Sequence, residues 1–460
     1  MSRIRLDLVV AGALPVVCLA ALLATSPDPG GPGDGVRRQP ELTPLTSASV
    51  VCPSATSPDG SVGVSTLTDA TGEVVAGLGA DVRPVEVRPS AVSPVRPSPG
   101  AASAAPSDPV VVTGADALAP ALVAGRSGTS PLSATDCRPP SAEQWFTGLG
   151  SGATHSSVIE LVNPNAGRAV ADVRLWSQAG PLDVPELLGV SVPGGEGMRI
   201  DLGDVVPRRG ELMARVTTSR GRLAVDVADS VDQLGTGLVA TDWLSPQPEP
   251  TTTGVLLGLA RGAGERVLVL GNPGEDEVRV TIRVVTPGSV FAPAGLEPVT
   301  VGPGTTEPVT LTELLAEATR TGATGLSLES TGPVTANLRQ LVGDDLSEVA
   351  PAAALGSATA ALVPEGKARL LLADPAGVGL ATVVALDASG AELSTEAVEL
   401  APDTGASLAL PEGTALVRVT PERTSVRAAL LVTSQRGVAV VPLRELLVDG
   451  LVPDVRPALP

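Results

Sequence analysis

A strand–turn–strand block recurs in this chain at a fixed spacing, and the recurrence limits the fold more than any other feature. From Val158 to Leu175, Val158, Glu160 and Val162 alternate with Ile159 and Leu161, the chain breaks at Asn163-Pro164, and alternation resumes through Val173 and Leu175. A period of two marks paired β-strands. The block returns 109 residues later without a gap: Asn272-Pro273 falls on Asn163-Pro164, Ile282 on Val173, Arg283 on Arg174, Val301 on Val192, Gly304 on Gly195 and Leu311 on Leu202. A third, more diverged copy carries Asp374-Pro375, then Thr382, Val384 and Leu386, then Val398, Leu400, Pro402, Leu408 and Leu410. Each copy closes with a further strand pair, Leu223 to Val227, Val334 to Leu338 and Val426 to Val432.

A unit of about 100 residues with short strands, frequent Gly and Pro turns and hardly any helix predicts an all-β chain of tandem immunoglobulin-like β-sandwich repeats. Asn-Pro ends a strand because Asn bonds its own backbone and tolerates turn geometry, while Pro cannot donate to a ladder. The repeats are placed at 142–246, 254–346 and 362–446, with Gln247 to Gly254 and Pro351 to Ala361 as separators. One helix is expected in the second repeat, Leu311 to Arg320, capped by Thr310 or Thr312.

Ahead of the repeats, residues 1–24 read as a signal anchor: Arg3 and Arg5 precede Leu8 to Ala24, a run of 17 residues without a charge, near the lower limit for a membrane-spanning helix. The basic flank places the bulk of the chain outside the membrane, in a single-pass topology, with secretion after cleavage as the alternative. Residues 25–45 have tether composition. Residues 46–141 form a strand-rich region with candidates at Val50 to Cys52, Val62 to Leu67, Val82 to Val87 and Val110 to Thr113, interrupted by a Pro- and Ser-rich loop at 88–109 that reads as disordered. Whether this region is a domain of its own or lends strands to the first repeat is open. Cys52 and Cys137 are the only cysteines outside the anchor; in an oxidising compartment they predict a disulfide.

The formal charge of −19 argues against nucleic acid as a partner, since phosphate neutralisation draws on clustered Lys and Arg, and Lys367 is the single lysine. His155 is the single histidine, so any Ser-His-Asp arrangement must use it, and a zinc site of His and Cys lacks ligands. Asp403-Thr404-Gly405 has the form of an aspartic-protease signature but has no second copy to share a proton, and reads as a turn. Gly148-Leu149-Gly150-Ser151-Gly152-Ala153 matches a loose dinucleotide fingerprint, yet a strand follows where a helix is needed. Glu275-Asp276-Glu277 offers carboxylates to calcium without a recognisable ligand spacing. No metal or cofactor is expected.

Aromatic residues are scarce, so Trp145, Phe146 and Trp243 stand out as candidate binding residues, exposed rings being usual platforms for sugars and protein partners. Packing between units is the plainer reading of Trp145 and Trp243, which lie at the two ends of the first repeat.

Val50 to Pro53 (VVCP), Cys137 to Pro140 (CRPP) shortly before Trp145-Phe146, Leu161 to Pro164 (LVNP) and Asp242-Trp243-Leu244 before a Pro-rich linker resemble a family of uncharacterised actinobacterial exported proteins over most of residues 46–345. The resemblance implies a cell-envelope protein, membrane-anchored or secreted, with no activity to carry over. A non-catalytic protein that presents sandwiches to an envelope protein or glycan is the expectation. The alternatives are a carbohydrate-active or peptidase-like hydrolase built on carboxylates alone, and a structural spacer.

Overall fold

The computed structural model describes residues 41–96, 108–247 and 249–452; the expected anchor, most of the tether and the tip of loop 88–109 lie outside them. Among the described residues no helix is long and apolar enough to cross a membrane. The last residues of the expected tether are strand β1 (Glu41–Pro44), paired antiparallel to β36 (Asp449–Val452) in a ribbon that is a unit by itself.

Residues 45–448 form the other compact unit, built from four subunits of one topology that we number I to IV. In I, β2 (Ser47–Cys52), β7 (Val110–Ala115), β4 (Gly72–Leu78) and β5 (Asp81–Val87) make one sheet in that order, and β6 (Ser93–Val95), β3 (Ser61–Thr66), β8 (Leu122–Thr129) and β9 (Leu132–Asp136) make the other. In II the sheets are β10 (Glu143–Leu149), β16 (Leu212–Arg220), β12 (Ala169–Ser177) and β13 (Gly180–Leu182), with β14 (Val190–Val192) also on β12, and β15 (Gly197–Asp201), β11 (His155–Val162), β17 (Ala224–Gln233) and β18 (Leu238–Leu244). In III one long strand, β25 (Gly325–Val342), serves both sheets. Its first half pairs with β19 (Thr251–Leu257) and β21 (Val278–Val285), which carries β22 (Val290–Phe291) and β23 (Val299–Val301). Its second half pairs with β20 (Gly264–Asn272) and β26 (Asp345–Val349), and β24 (Thr305–Thr310) flanks β20. In IV the sheets are β28 (Thr359–Leu362), β33 (Leu416–Glu422), β30 (Gly379–Leu386) and β31 (Glu392–Leu400), and β32 (Gly405–Ala409), β29 (Lys367–Ala373), β34 (Val426–Ser434) and β35 (Gly437–Pro442), with β27 (Ala354–Leu355) on β34.

Counted within a subunit, with the short strands β14, β23 and β27 left out and β25 counted once for each sheet, the sheets run 1-6-3-4 and 5-2-7-8 in all four, and each pair of sheets encloses a core. The region at 46–141 therefore has the repeat topology itself, although nothing in it matches Asn-Pro. Part of the expected disordered loop, Ser93–Val95, is a paired strand, and the expected separators hold strand residues from β19, β27 and β28.

The Asn-Pro turn has a physical basis beyond ending a strand. The Asn163 amide, fully buried, donates to the carbonyls of Gly167 (2.8 Å), Val192 (3.1 Å) and Pro193 (3.1 Å). Asn272 donates to Asp276 (2.8 Å), Val301 (3.2 Å) and Gly302 (3.0 Å), at the same sequence offsets. One side chain thus ties the turn to the distant entry of strand 5. Asp374, which stands there in IV, has no N–H to give; its carboxylate pairs instead with Arg427 at 2.9 Å. The expected helix is present as Thr312–Arg320, but neither threonine caps it: buried Leu311, with no polar side-chain atom, occupies the N-cap, and the Thr312 hydroxyl accepts from the Arg266 N–H at 3.0 Å.

Successive subunits stack face to face, with the outer face of the 5-2-7-8 sheet of one on the outer face of the 1-6-3-4 sheet of the one before. Val162 and Ala224 of II meet Val51 and Val111 of I; Thr335 of III bonds Thr147 of II at 2.6 Å; Leu371, Ala373, Ala429 and Val440 of IV join the core of III. The series then closes, since Val123 of I packs with Ala360, Val384 and Leu416 of IV. At the centre the last strands meet in a cycle, β9 on β35, β35 on β26, β26 on β18 and β18 on β9. Sheets covered on both faces explain runs such as Val267 to Leu270, all four buried, which read as continuous apolar stretches rather than as alternation.

Candidate functional site

Buried charge gathers at the seams, and the II/III seam opens into a cleft. On the II side, Ser157, Asp229 and Asp242 are cross-strand neighbours on β11, β17 and β18, so all three point the same way from the sheet. On the III side, Arg339 and Glu348 are cross-strand neighbours on β25 and β26, with Asn337 two residues before Arg339. Polar residues of both subunits converge at this seam.

The bonds form a chain. Asp229, with no exposed surface, accepts from the Ser157 hydroxyl and lies 2.9–3.0 Å from His155 Nε2. With Nε2–H given to Asp229, His155 Nδ1 is left to accept from Arg339 Nη1 at 3.1 Å. Arg339 also grips Glu211 with two bonds of 2.9 and 2.7 Å, the fork geometry that makes Arg–carboxylate pairs strong. Beside this chain, Asn337 donates to Glu348, and the Glu348 N–H donates to Asp242 at 2.9 Å. Burial pushes the Asp242 carboxyl well above its ordinary range. Burial does the same to Glu348, and the Asp229 charge adds to it while Arg339 opposes. Burial works against the Arg339 guanidinium, but Glu211 more than compensates and raises it.

Above the chain lies a cleft of about 420 Å³, walled by Thr154, Arg209, Asp232, Gln233 and Glu265, with His155, Glu211 and Arg339 at its base. Donors and acceptors of both charges face it. The Ser157 hydroxyl is buried and is held by Asp229 and by the Gly150 N–H at 2.8 Å. The carboxylate therefore sits between hydroxyl and imidazole, whereas a nucleophilic triad needs the imidazole between the other two. The trio lies within II and reaches III through the His155–Arg339 bond.

The I/II seam is the second polar one. Ser54 gives its N–H and hydroxyl to Glu160 at 2.7 and 2.5 Å. Arg138 donates to the Pro246 carbonyl at 3.4 Å, and Asp226 is pushed up to about 7 by burial, against the pull of Arg138. The contact between IV and I is polar as well: Arg444 of IV pairs with buried Asp136 of I at 2.5 Å and donates to the Cys137 carbonyl at 2.8 Å. Cys52 and Cys137 are joined in a disulfide, Sγ to Sγ 1.98 Å, as expected from the sequence.

The three aromatic residues read as a binding platform are buried. Phe146 is in the core of II. Trp145, 4 % exposed, stacks on Trp176 with centroids 5.6 Å apart, under Arg215 at 5.2 Å, and gives its Nε1–H to Glu143 at 2.9 Å. Trp243, 3 % exposed, gives its Nε1–H to the Ser54 carbonyl at 3.2 Å. Trp145 and Trp243 lie on outer sheet faces, which stacking covers; the plainer reading, packing between units, describes them, and none offers a free ring. Glu275-Asp276-Glu277 borders a second groove of about 580 Å³ with Trp145 and Arg215, and among the described residues no group of three or more His, Cys, Asp or Glu is placed to hold a metal. Asp403 sits in a turn with φ of 57°. Gly148 to Ala153 joins β10 to β11, so a strand follows the glycine-rich stretch.

The seam residues Glu211, Asp229, Arg339 and Glu348 were not reached from the sequence. Their signal was there: charges inside otherwise apolar strands, as in Ala224 to Val231 (AVDVADSV) and Asn337 to Val342 (NLRQLV), have to meet partners.

Comparison with curated proteins gives no match. The model of a family of unknown function, DUF5719, matches residues 99–411, from before β7 of I into IV and across the whole II/III cleft, and the chain belongs to that family.

Proposed function

We propose that this chain is an extracytoplasmic protein of the actinobacterial cell envelope, held to the membrane by residues 1–24 or released after cleavage, that binds a polar glycan in the II/III cleft without transforming it. The observation that carries this reading is the cleft, whose volume of about 420 Å³ falls in the range of small-ligand pockets, about 300–1,000 Å³. Its side chains suit hydroxyl-rich ligands, with Arg209 and Gln233 to donate and Asp232 and Glu265 to accept. The clasp beneath, made by His155, Asp229, Arg339 and Glu211, keeps that floor rigid, which reduces the ordering cost of binding. The disulfide supports an oxidising compartment. We read the subunits as immunoglobulin-like, because strand 2 beside 5 and strand 3 beside 6 are the B–E and C–F neighbours of that sandwich.

The test is retention of envelope glycan fragments on immobilised residues 46–460, with Asp232→Ala and Gln233→Ala beside the wild type after circular dichroism shows each to be folded. We expect at least a tenfold loss of retention in the variants. Glycan cleaved rather than retained would make the cleft a hydrolase site built on its carboxylates, and no retention by any form would leave a spacer.

A further inference from the structure

Some charges around the II/III cleft are already spent on one another and others are not, and the difference selects among glycans. Resting on the reading of the cleft as a glycan site, we propose that its ligand is an amino sugar with an unacetylated, positively charged amine, held between Asp232 of II and Glu265 of III.

The cations at the base of the cleft are committed. Arg339 gives two bonds to Glu211, at 2.9 and 2.7 Å, and a third to His155 Nδ1 at 3.1 Å. His155 Nε2 lies 2.9–3.0 Å from Asp229. With Nε2–H given to that carboxylate and Nδ1 accepting, the imidazole has no N–H left for a ligand. On the walls, one guanidinium, Arg209, stands against two carboxylates, Asp232 and Glu265. Among the described residues, none of these three side chains has a hydrogen bond or an ion pair. A polyanionic glycan entering the cleft thus meets more uncommitted carboxylate than guanidinium.

The two carboxylates come from opposite sides of the seam. Asp232 is on β17, across from Val239, and Glu265 is on β20, across from Leu341. Like charges that face one cleft repel. A cation between them replaces that repulsion by charge-assisted hydrogen bonds, about twice as strong as bonds between neutral groups; an acetamide in the same place stays neutral. The remaining lining suits the ring that carries the amine. The Gln233 amide nitrogen is buried without a partner among the described residues and can donate to a ring hydroxyl, as can Arg209. Val231, Val267 and Leu341 offer apolar surface to the C–H faces of the sugar.

Isothermal titration calorimetry of the full chain in neutral detergent, at pH 6 where the amine is protonated, compares the tetrasaccharide of glucosamine with that of N-acetylglucosamine. The two ligands share a backbone and differ in the acetylation of the amines. The expected result is a Kd at least tenfold lower for the glucosamine form, with the ratio falling below about threefold in Asp232→Asn and in Glu265→Gln. Both side chains are unpaired and at least partly exposed, so these variants should fold as the wild type does. Glu396→Gln, on the exposed strand β31, controls for attraction to the acidic surface at large and should keep the full ratio. Equal binding of the two tetrasaccharides, or tighter binding of the acetylated one, overturns the inference and leaves the glycan reading standing. A preference that persists in both cleft variants, or that Glu396→Gln weakens as much as they do, also overturns it. If neither sugar binds, the inference and the reading beneath it fall together.

Discussion

Asp226→Asn removes the seam carboxyl whose ionisation is best defined, and its effect should depend on pH. The carboxyl is raised from 3.8 to about 7; at 1.36 kcal/mol per unit, full ionisation in the folded protein costs about 4 kcal/mol relative to the unfolded chain. The shift is upward, so this loss is absent below the unfolded value, grows as pH rises, and is complete above about 7. From pH 5 to pH 8 the accumulated part is about 2–3 kcal/mol. Asn keeps the shape and cannot ionise, so the variant should gain about that much stability on the wild type between the two pH values. Urea denaturation followed by circular dichroism, with both proteins at both pH values, gives the double difference directly and cancels every other titrating group. A double difference within about 0.5 kcal/mol of zero would refute the argument that burial outweighs Arg138. A variant that loses ground at pH 8 would show instead that the ionised Asp226–Arg138 pair holds the seam together.

Reducing the disulfide, or replacing Cys52 and Cys137 by Ser, should lower stability by about 4 kcal/mol, since the bond closes a loop across a separation of 85 residues; denaturant midpoints with and without reductant check this. Asn272→Asp should cost about 2–3 kcal/mol through the loss of three buried acceptor partners, and Asp374→Asn in IV, where the carboxylate is paired outside, far less. Trp243→Phe keeps most of the ring but deletes the bond to the Ser54 carbonyl; about 1 kcal/mol should be lost, seen as a lowered denaturation midpoint at unchanged slope. His155→Ala leaves Arg339 and Asp229 without their shared partner and should weaken glycan retention together with stability, whereas Asp232→Ala should affect retention alone.

How much of this was legible beforehand depended on whether a residue acts within its own subunit. The Asn163 and Asn272 turns, the strands that follow them and the disulfide depend on local chemistry, and the 109-residue offset exposes them. Subunit I escaped recognition as a further copy because Thr66 and Leu67 end its second strand without Asn-Pro and because 88–109 interrupts it. Trp145 and Trp243 stand out in the sequence because aromatic residues are scarce, and exposed rings are usual platforms for partners. Scarcity does not say which rings are exposed: Trp145 is buried against Trp176 and Arg215 of its own subunit, and Trp243 against the Ser54 carbonyl of I. Asp229 and Arg339 are 110 positions apart and meet through His155 only because III stacks on II. Such pairings depend on the arrangement of whole subunits, which one-dimensional periodicity does not contain.

An open array of repeats can gain or lose members at its ends, and it needs specialised end caps to shield them. The cycle described here has neither freedom nor need: with Val123 of I seated on Ala360 and Leu416 of IV, every stacking face is covered by another copy. A fifth copy would find no face to sit on, and a missing one would leave two apolar faces bare. Change in this lineage is thereby channelled away from copy number and into the loops, and into the composition of individual seams.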